Sequence, residues 1–208
     1  MSKPQFKITN VDLFALINAL FFLWMCFATY FDRFIHYRGR EYIWEFFVYA
    51  VLILAVILAA WKIIRHFPIP SWLLFSIQIG ILMHFAGGLA VLHESRLYDK
   101  IILGIRYDKY VHAVNACLGG FLFYKLYFEK LDLKGWIRDL QLLVMILGLG
   151  TVIEIIEYLV TLTVTTNGVG NYDNNMQDLI SNFTGVVISI SVIRIITYRK
   201  KKPANDSR

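Results

Sequence analysis

Leu13 to Phe31 runs for nineteen residues without one charged side chain. Crossing a bilayer core about 30 Å thick takes about 20 apolar residues, with every backbone polar group satisfied inside the segment. Trp72 to Leu92 repeats the pattern, with only Gln78 and His84 as strongly polar side chains. So does Phe46 to Trp61, bordered by Tyr42, Trp44 and Lys62. Three further stretches are long enough but carry charge at an end or on one face. They are Val111 to Phe128 with Lys125, Leu140 to Leu162 with Glu154 and Glu157, and Leu179 to Tyr198 with Arg194. The sequence therefore predicts an all-α, polytopic bundle forming a single integral membrane domain. Its six spans fall at about 12–31, 43–65, 72–92, 110–128, 138–162 and 177–198, and a basic tail follows at 199–208.

Composition agrees. Hydrophobic residues make up 58% of the 208, charged residues only 17%, and the mean hydropathy is +0.56. A soluble globule of this size cannot hide so much apolar surface. Cys26 and Cys117 both lie in apolar stretches and read as small hydrophobes rather than a disulfide. The first apolar run lacks a small-residue cleavage site and is expected to act as its own insertion signal. The net charge of +6 is concentrated at Arg199 to Lys202, directly after an apolar helix. That placement fits anionic headgroups and gives no reason to invoke nucleic acid.

Fourteen of the 21 lysines and arginines fall on the side holding both termini, the second loop and the fourth loop; seven fall opposite. The positive-inside rule then places both termini in the cytoplasm of a bacterial plasma (inner) membrane. His66-Phe67-Pro68-Ile69-Pro70 reads as a tight inner turn. The outer loop from about Leu92 to Tyr110 alternates charged and apolar residues and is expected to lie in the interface. Within it, His93-Glu94-Ser95-Arg96 reads as a solvated turn. Thr163 to Met176 reads as an exposed outer loop. No internal repeat is apparent, and the sequons at Asn182 and Asn205 are not expected to be glycosylated.

Ionisable groups in spans are costly and mark functional sites. Here they converge on one level: His84, then Asp108 and His112, then Glu154 and Glu157, then Asp173, Asp178 and Asn182. Spacings of three and four put Asp108 with His112, Glu154 with Glu157 and Tyr158, and Asp178 with Asn182 and Gly185 on common helix faces. At about 1.5 Å per residue, all of them fall in the outer half of the membrane.

Several of these residues carry a resemblance. They are Tyr107-Asp108-Lys109-Tyr110-Val111-His112, Glu154-Ile155-Ile156-Glu157-Tyr158, and Asp178-x-x-x-Asn182-x-x-Gly185, preceded by His84-x-x-Gly87-Gly88 and Leu97-Tyr98-Asp99. Over residues 75 to 190 this pattern resembles the YjdF-type family of bacterial inner-membrane proteins. The ordered trio is also similar to VanZ-like proteins, linked to glycopeptide resistance, although those tend to have Glu-x-x-Gln where this chain has Glu154-x-x-Glu157. The resemblance implies a site and brings no reaction with it.

Several functions fit such a site. A divalent metal (zinc, manganese or iron) held by His84, Asp108, His112, Glu154 and Asp178 would activate water. A metal-free acid–base site would use His112 with Glu154 or Asp178, aided by Asp108 and Glu157. Asp173, Asn182 and Tyr158 would line the substrate pocket. The same residues also fit buried pairs that only fix helix packing. The working expectation is a membrane-embedded hydrolase or transferase, or a binding protein, for a lipid or lipid-linked cell-envelope substrate. A small-molecule or ion-coupled transporter and a non-catalytic envelope scaffold are the alternatives. No nucleotide-binding loop, haem motif or nucleophile elbow is present in the sequence.

Overall fold

The structure, a computed structural model, describes residues 8–129, 131, 133, 135–163 and 171–201. The expected loop over 164–170 and the tail beyond 201, with its Asn205 sequon, lie outside these residues. The fold is all-α, as the hydropathy requires. Seven α-helices are described: α1 (Asn10–Met25), α2 (Phe31–Arg38), α3 (Ile43–Ile64), α4 (Ser71–Leu89), α5 (Tyr107–Phe123), α6 (Gly135–Thr163) and α7 (Tyr172–Lys201). Chain contacts divide into two units between Leu74 and Phe75.

In the first unit a π-helical turn over Cys26–Tyr30 joins α1 to α2 without a break. The first apolar helix therefore runs on to Arg38, where Gly39 at φ +101° stops it. Thr9 caps α1 in a reciprocal box with Asp12. Asp12 also accepts a hydrogen bond from Trp61 Nε1 at 2.7 Å and pairs with Arg65 at 3.6 Å, tying the start of α1 to the end of α3. Further along, Phe22, Cys26 and Phe46 form the core of the unit, with Phe31 edge-on to Phe46. Asp12 is thus spent on structure. Both cysteines are free thiols.

The second unit is built on α5, which packs against α6 and α7. Ala116, Ile146 and Val186 form one core cluster, and Phe128, Leu142 and Ile193 form another. Close approach of α5 and α7 depends on two glycines. A Cβ at Gly185 would overlap the Ala113 carbonyl oxygen, and one at Gly120 would overlap the Ser189 hydroxyl. Small residues at such contacts let helix backbones meet in a medium where burial of apolar surface gives no drive. At the far end of this unit Arg138 and Arg194 both bind Asp139, clamping α6 to α7.

Among the described residues, five helices have both the length and the apolar character to cross a membrane: Asn10–His36, Arg40–Ile64, Ser71–Leu89, Gly135–Leu159 and Tyr172–Arg199. The sixth expected span, 110–128, is helical from Tyr107 and continues through a π turn to Phe128. Its residues are more polar because protein, rather than lipid, covers much of its surface. One boundary differs from expectation. Helix α7 begins at Tyr172, so Tyr172 to Met176 are helical rather than loop. Asn171 caps this end through Asn174 N–H, and Asp173 sits in the first turn, where the helix dipole favours an acid.

The loop between α4 and α5 differs most. It holds two β-hairpins, β1 (Val91–Leu92) with β2 (Ser95–Arg96) and β3 (Ile101–Ile102) with β4 (Ile105–Arg106). Each closes through two left-handed residues, His93-Glu94 and Leu103-Gly104, the turn that matches strand twist. Together they expose an internal repeat that the sequence conceals. Val91 to Arg96 matches Ile101 to Arg106, and each copy is closed by an equivalent bond, Leu97 N to Ala90 O and Tyr107 N to Lys100 O, both 2.8 Å. His93 and Glu94 form an exposed turn, as expected of a solvated segment.

Replacing Gly185 by leucine is expected to push α5 from α7 and lower stability by about 1–3 kcal/mol. The same change at Gly148, which faces open space, is expected to be neutral. Thermal unfolding of both variants in detergent checks the contrast.

Candidate functional site

The helices of the second unit alternate in direction, so the C-terminal halves of α4 and α6 lie level with the N-terminal turns of α5 and α7. This brings His84, Asp108, His112, Glu154, Glu157, Asp178 and Asn182 to one end of the unit. At their centre is a residue outside the expected set. Lys109 on α5 is 5% exposed, and four oxygens surround its ammonium: Asp178 Oδ1 at 2.7 Å, Asn174 Oδ1 at 2.9 Å, Asn174 O at 3.1 Å and Asp108 Oδ2 at 3.1 Å. Only a fully hydrogen-bonded cation tolerates such burial.

Asp178, 1% exposed, is the counterpart on α7. Its Oδ1 also lies 3.3 Å from His112 Nε2, while Oδ2 accepts a hydrogen bond from Asn174 Nδ2 at 2.8 Å. Asn174 in turn accepts from Arg106 Nη1 at 2.8 Å, and Arg106 binds Asp99 at 2.9 Å. The hairpins are therefore wired into the helix cluster. Arg96, the residue equivalent to Arg106 in the repeat, binds Asp99 as well, at 3.0 Å.

A cavity of about 610 Å³ opens beside this network. His84, Asp108, His112, Asn115, Glu157, Asn174, Asp178 and Asn182 line one part of it, with Arg96 and Arg106 from the hairpins and Tyr98 from the short helical turn between them. The rest is apolar: Val111, Ala116, Gly119, Phe123, Ile146, Leu149 and Ile153. The polar side chains gather toward one end, with Phe85 and Val111 interspersed among them. On α5 the lining runs from Asp108, His112 and Asn115 to Ala116, Gly119 and Phe123, a length of about 22 Å. On α6 it runs from Ile146, Leu149 and Ile153 up to Glu157. His84 is held at the polar end by Tyr98, whose hydroxyl contacts its Nδ1, and the Tyr98 ring packs on Gly87, where a Cβ would overlap it.

Three of the residues expected to act together are placed otherwise. Glu154 is 6% exposed and does not line the cavity; neither of its carboxylate oxygens has a hydrogen-bond partner. Asp173 and Tyr158 also lie off the cavity, Asp173 at the exposed N-terminal turn of α7 and Tyr158 57% exposed on α6. Of the five suggested metal ligands, His112, Glu154 and Asp178 bring ligand atoms within 4.8 Å of one another. His84 stands apart with Tyr98, and Asp108 is drawn to Lys109 and, at 3.6 Å, to Arg106.

With the helices and this cluster in view, the family model that matches the chain covers residues 11–199 and is described as Predicted membrane protein (DUF2238). The chain belongs to that family. DUF2238 is the YjdF-type family that the motifs resemble, and the matched region spans all of the site residues. No curated protein and no solved structure matches the chain. Membership in DUF2238 agrees with a lipid-embedded protein of several apolar helices.

Asn174 and Arg106 were not among the expected site residues, and Lys109 and Tyr98 entered only within the motifs of the family resemblance. A signal existed for Lys109: it lies one turn before His112, inside a helix that carries few other charges. Replacing Lys109 by methionine is expected to leave Asp178 and Asp108 without their cation and cost about 3–5 kcal/mol. Adding Asp178→Asn to Lys109→Met is expected to recover part of that loss. A double-mutant cycle on thermal stability reads the coupling.

Proposed function

We propose that this DUF2238 protein binds an amphiphile, a lipid or lipid-linked envelope molecule, in the cavity of its second unit. The observation that carries the reading is the segregation of the cavity wall. One end presents histidine, carboxylate, amide and arginine groups; the other presents about two turns of aliphatic and aromatic side chains on each of α5 and α6. A headgroup meets the first while its chain lies along the second, and neither part of such a ligand is left without a matching surface.

The reaction that suits the polar end is hydrolysis or group transfer. His112 faces the cavity beside Asp178, which orients it, and Glu157 faces the same space as a further acid or base. Lys109 and Asn174 hold Asp178 in place. The excess of lysine and arginine on the side of the termini supports a bacterial inner membrane with both termini cytoplasmic, so that the polar end faces outward. A carrier coupled to an ion is the second reading, favoured by one observation: Glu154 is buried in a span with neither oxygen partnered.

Gly119 lines the apolar part of the cavity, and tryptophan there is expected to fill it. Mass spectrometry of lipid extracted from the purified protein should show the bound amphiphile in wild type and its loss in Gly119→Trp. His112→Ala should keep the amphiphile and lose its turnover. Equal lipid content in wild type and Gly119→Trp would sink the reading, and uptake into proteoliposomes that requires Glu154 would establish the carrier instead. For orientation, Leu103 is 93% exposed at the tip of the second hairpin. A cysteine there should react with a membrane-impermeant maleimide in intact cells; protection until the membrane is breached would reverse the topology.

A further inference from the structure

We infer that His112, Glu154 and Asp178 bind one divalent first-row transition-metal ion at the polar end of the cavity. The inference deepens the reading of this cavity as the functional site and rests on it for the use of the ion. Three observations converge. The ligand atoms of the three residues lie within 4.8 Å of one another, on α5, α6 and α7. The His112 Nε2 to Asp178 Oδ1 separation of 3.3 Å is close to the spacing of about 3.4 Å that two ligand atoms adopt around tetrahedral zinc when each is about 2.1 Å from the metal. Glu154, the third member, is buried with both oxygens unpartnered. A carboxylate in that position lacks a cation, and the helices around it supply none within hydrogen-bond reach.

Charge points the same way. Among the buried side chains at the polar end, Asp108, Glu154 and Asp178 stand against Lys109 alone. With both histidines neutral, two negative charges remain. Such an excess is costly in a water-poor interior, and a divalent cation cancels it. One imidazole and two carboxylates suit zinc, manganese or iron better than magnesium or calcium, which favour all-oxygen sites. Lys109 does not take the ion's place. It binds Asp178 Oδ1 from the side, and a carboxylate oxygen has two lone pairs, so Lys109 orients the ligand as outer partners do in metal sites. His112 and Asp178 line the cavity, so an ion held by them would be within reach of water or an anionic oxygen of the amphiphile.

The test uses full-length protein in detergent, stripped with a chelator and titrated calorimetrically with zinc or manganese alone. One site per chain is expected, with magnesium failing to compete. Affinity should fall at least about tenfold in Glu154→Gln, as loss of an anionic ligand implies. If Glu154→Gln fails to fold by thermal melt, His112→Ala at the cavity wall carries the comparison. No stoichiometric site in wild type, or wild-type affinity in a folded variant, overturns the inference. Infrared spectra give the rival account directly: a protonated-acid carbonyl band lost in Glu154→Gln would show a proton in place of the ion. Lipid content measured on the same stripped protein separates the two readings. A Gly119→Trp-sensitive amphiphile without a metal site defeats the cation alone, and absence of both defeats the cavity reading too.

Discussion

The contact between Lys109 and Asp178 organises the second unit. It joins α5 to α7 through a fully buried ion pair about two turns from Gly185, where the same two helices pack with no room for a Cβ. The two features need each other. Without the glycine the backbones could not approach, and without the approach Lys109 could not reach the Asn174 carbonyl and the Asp178 carboxylate together. An apolar pair would serve stability as well or better. What the ion pair adds is direction, because it holds Asp178 with one oxygen toward His112 and the cavity.

The hairpins extend that order to the mouth of the cavity. Each copy of the repeat delivers one arginine, and Asp99 gathers both. Arg106 also reaches Asn174, and Tyr98 reaches His84, so the segment between α4 and α5 is fastened to α4 and α7 rather than left as an independent loop. Two-residue turns give it rigidity that a charged interfacial loop would lack. The polar end of the cavity is thereby built from helix and hairpin side chains together, and the apolar end from helices alone.

Much of this was legible in the residues. The five most apolar helices follow from run length, and the convergence of His84, His112, Glu157, Asp178 and Asn182 follows from spacing plus alternating direction. Other parts were hidden for identifiable reasons. The hairpins lack the Asn-Gly or Asp-Gly signal; His93-Glu94 is a poor turn sequence, and the ten-residue repeat shares only Arg96 with Arg106 as an identical residue in its hairpin portion. Asp173 reads as a site acid by type and position, yet it is the acid of a helix's first turn. Glu154 and Glu157 are three residues apart, but only Glu157 reaches the cavity.

Hydropathy and charge by themselves determined that this chain is an all-α membrane protein with ionisable groups gathered at one level. Lipid imposes that outcome, since it allows only internally bonded backbone and penalises stray charge wherever it occurs along a helix. Which ionisable groups meet was decided only by the tertiary structure. Helical spacing sets a side chain's angle about its own axis, but contact depends on how far neighbouring helices are rotated and how closely they approach. Those quantities come from Gly120 and Gly185 against α5 and α7, and from Lys109 having to find four oxygens at once.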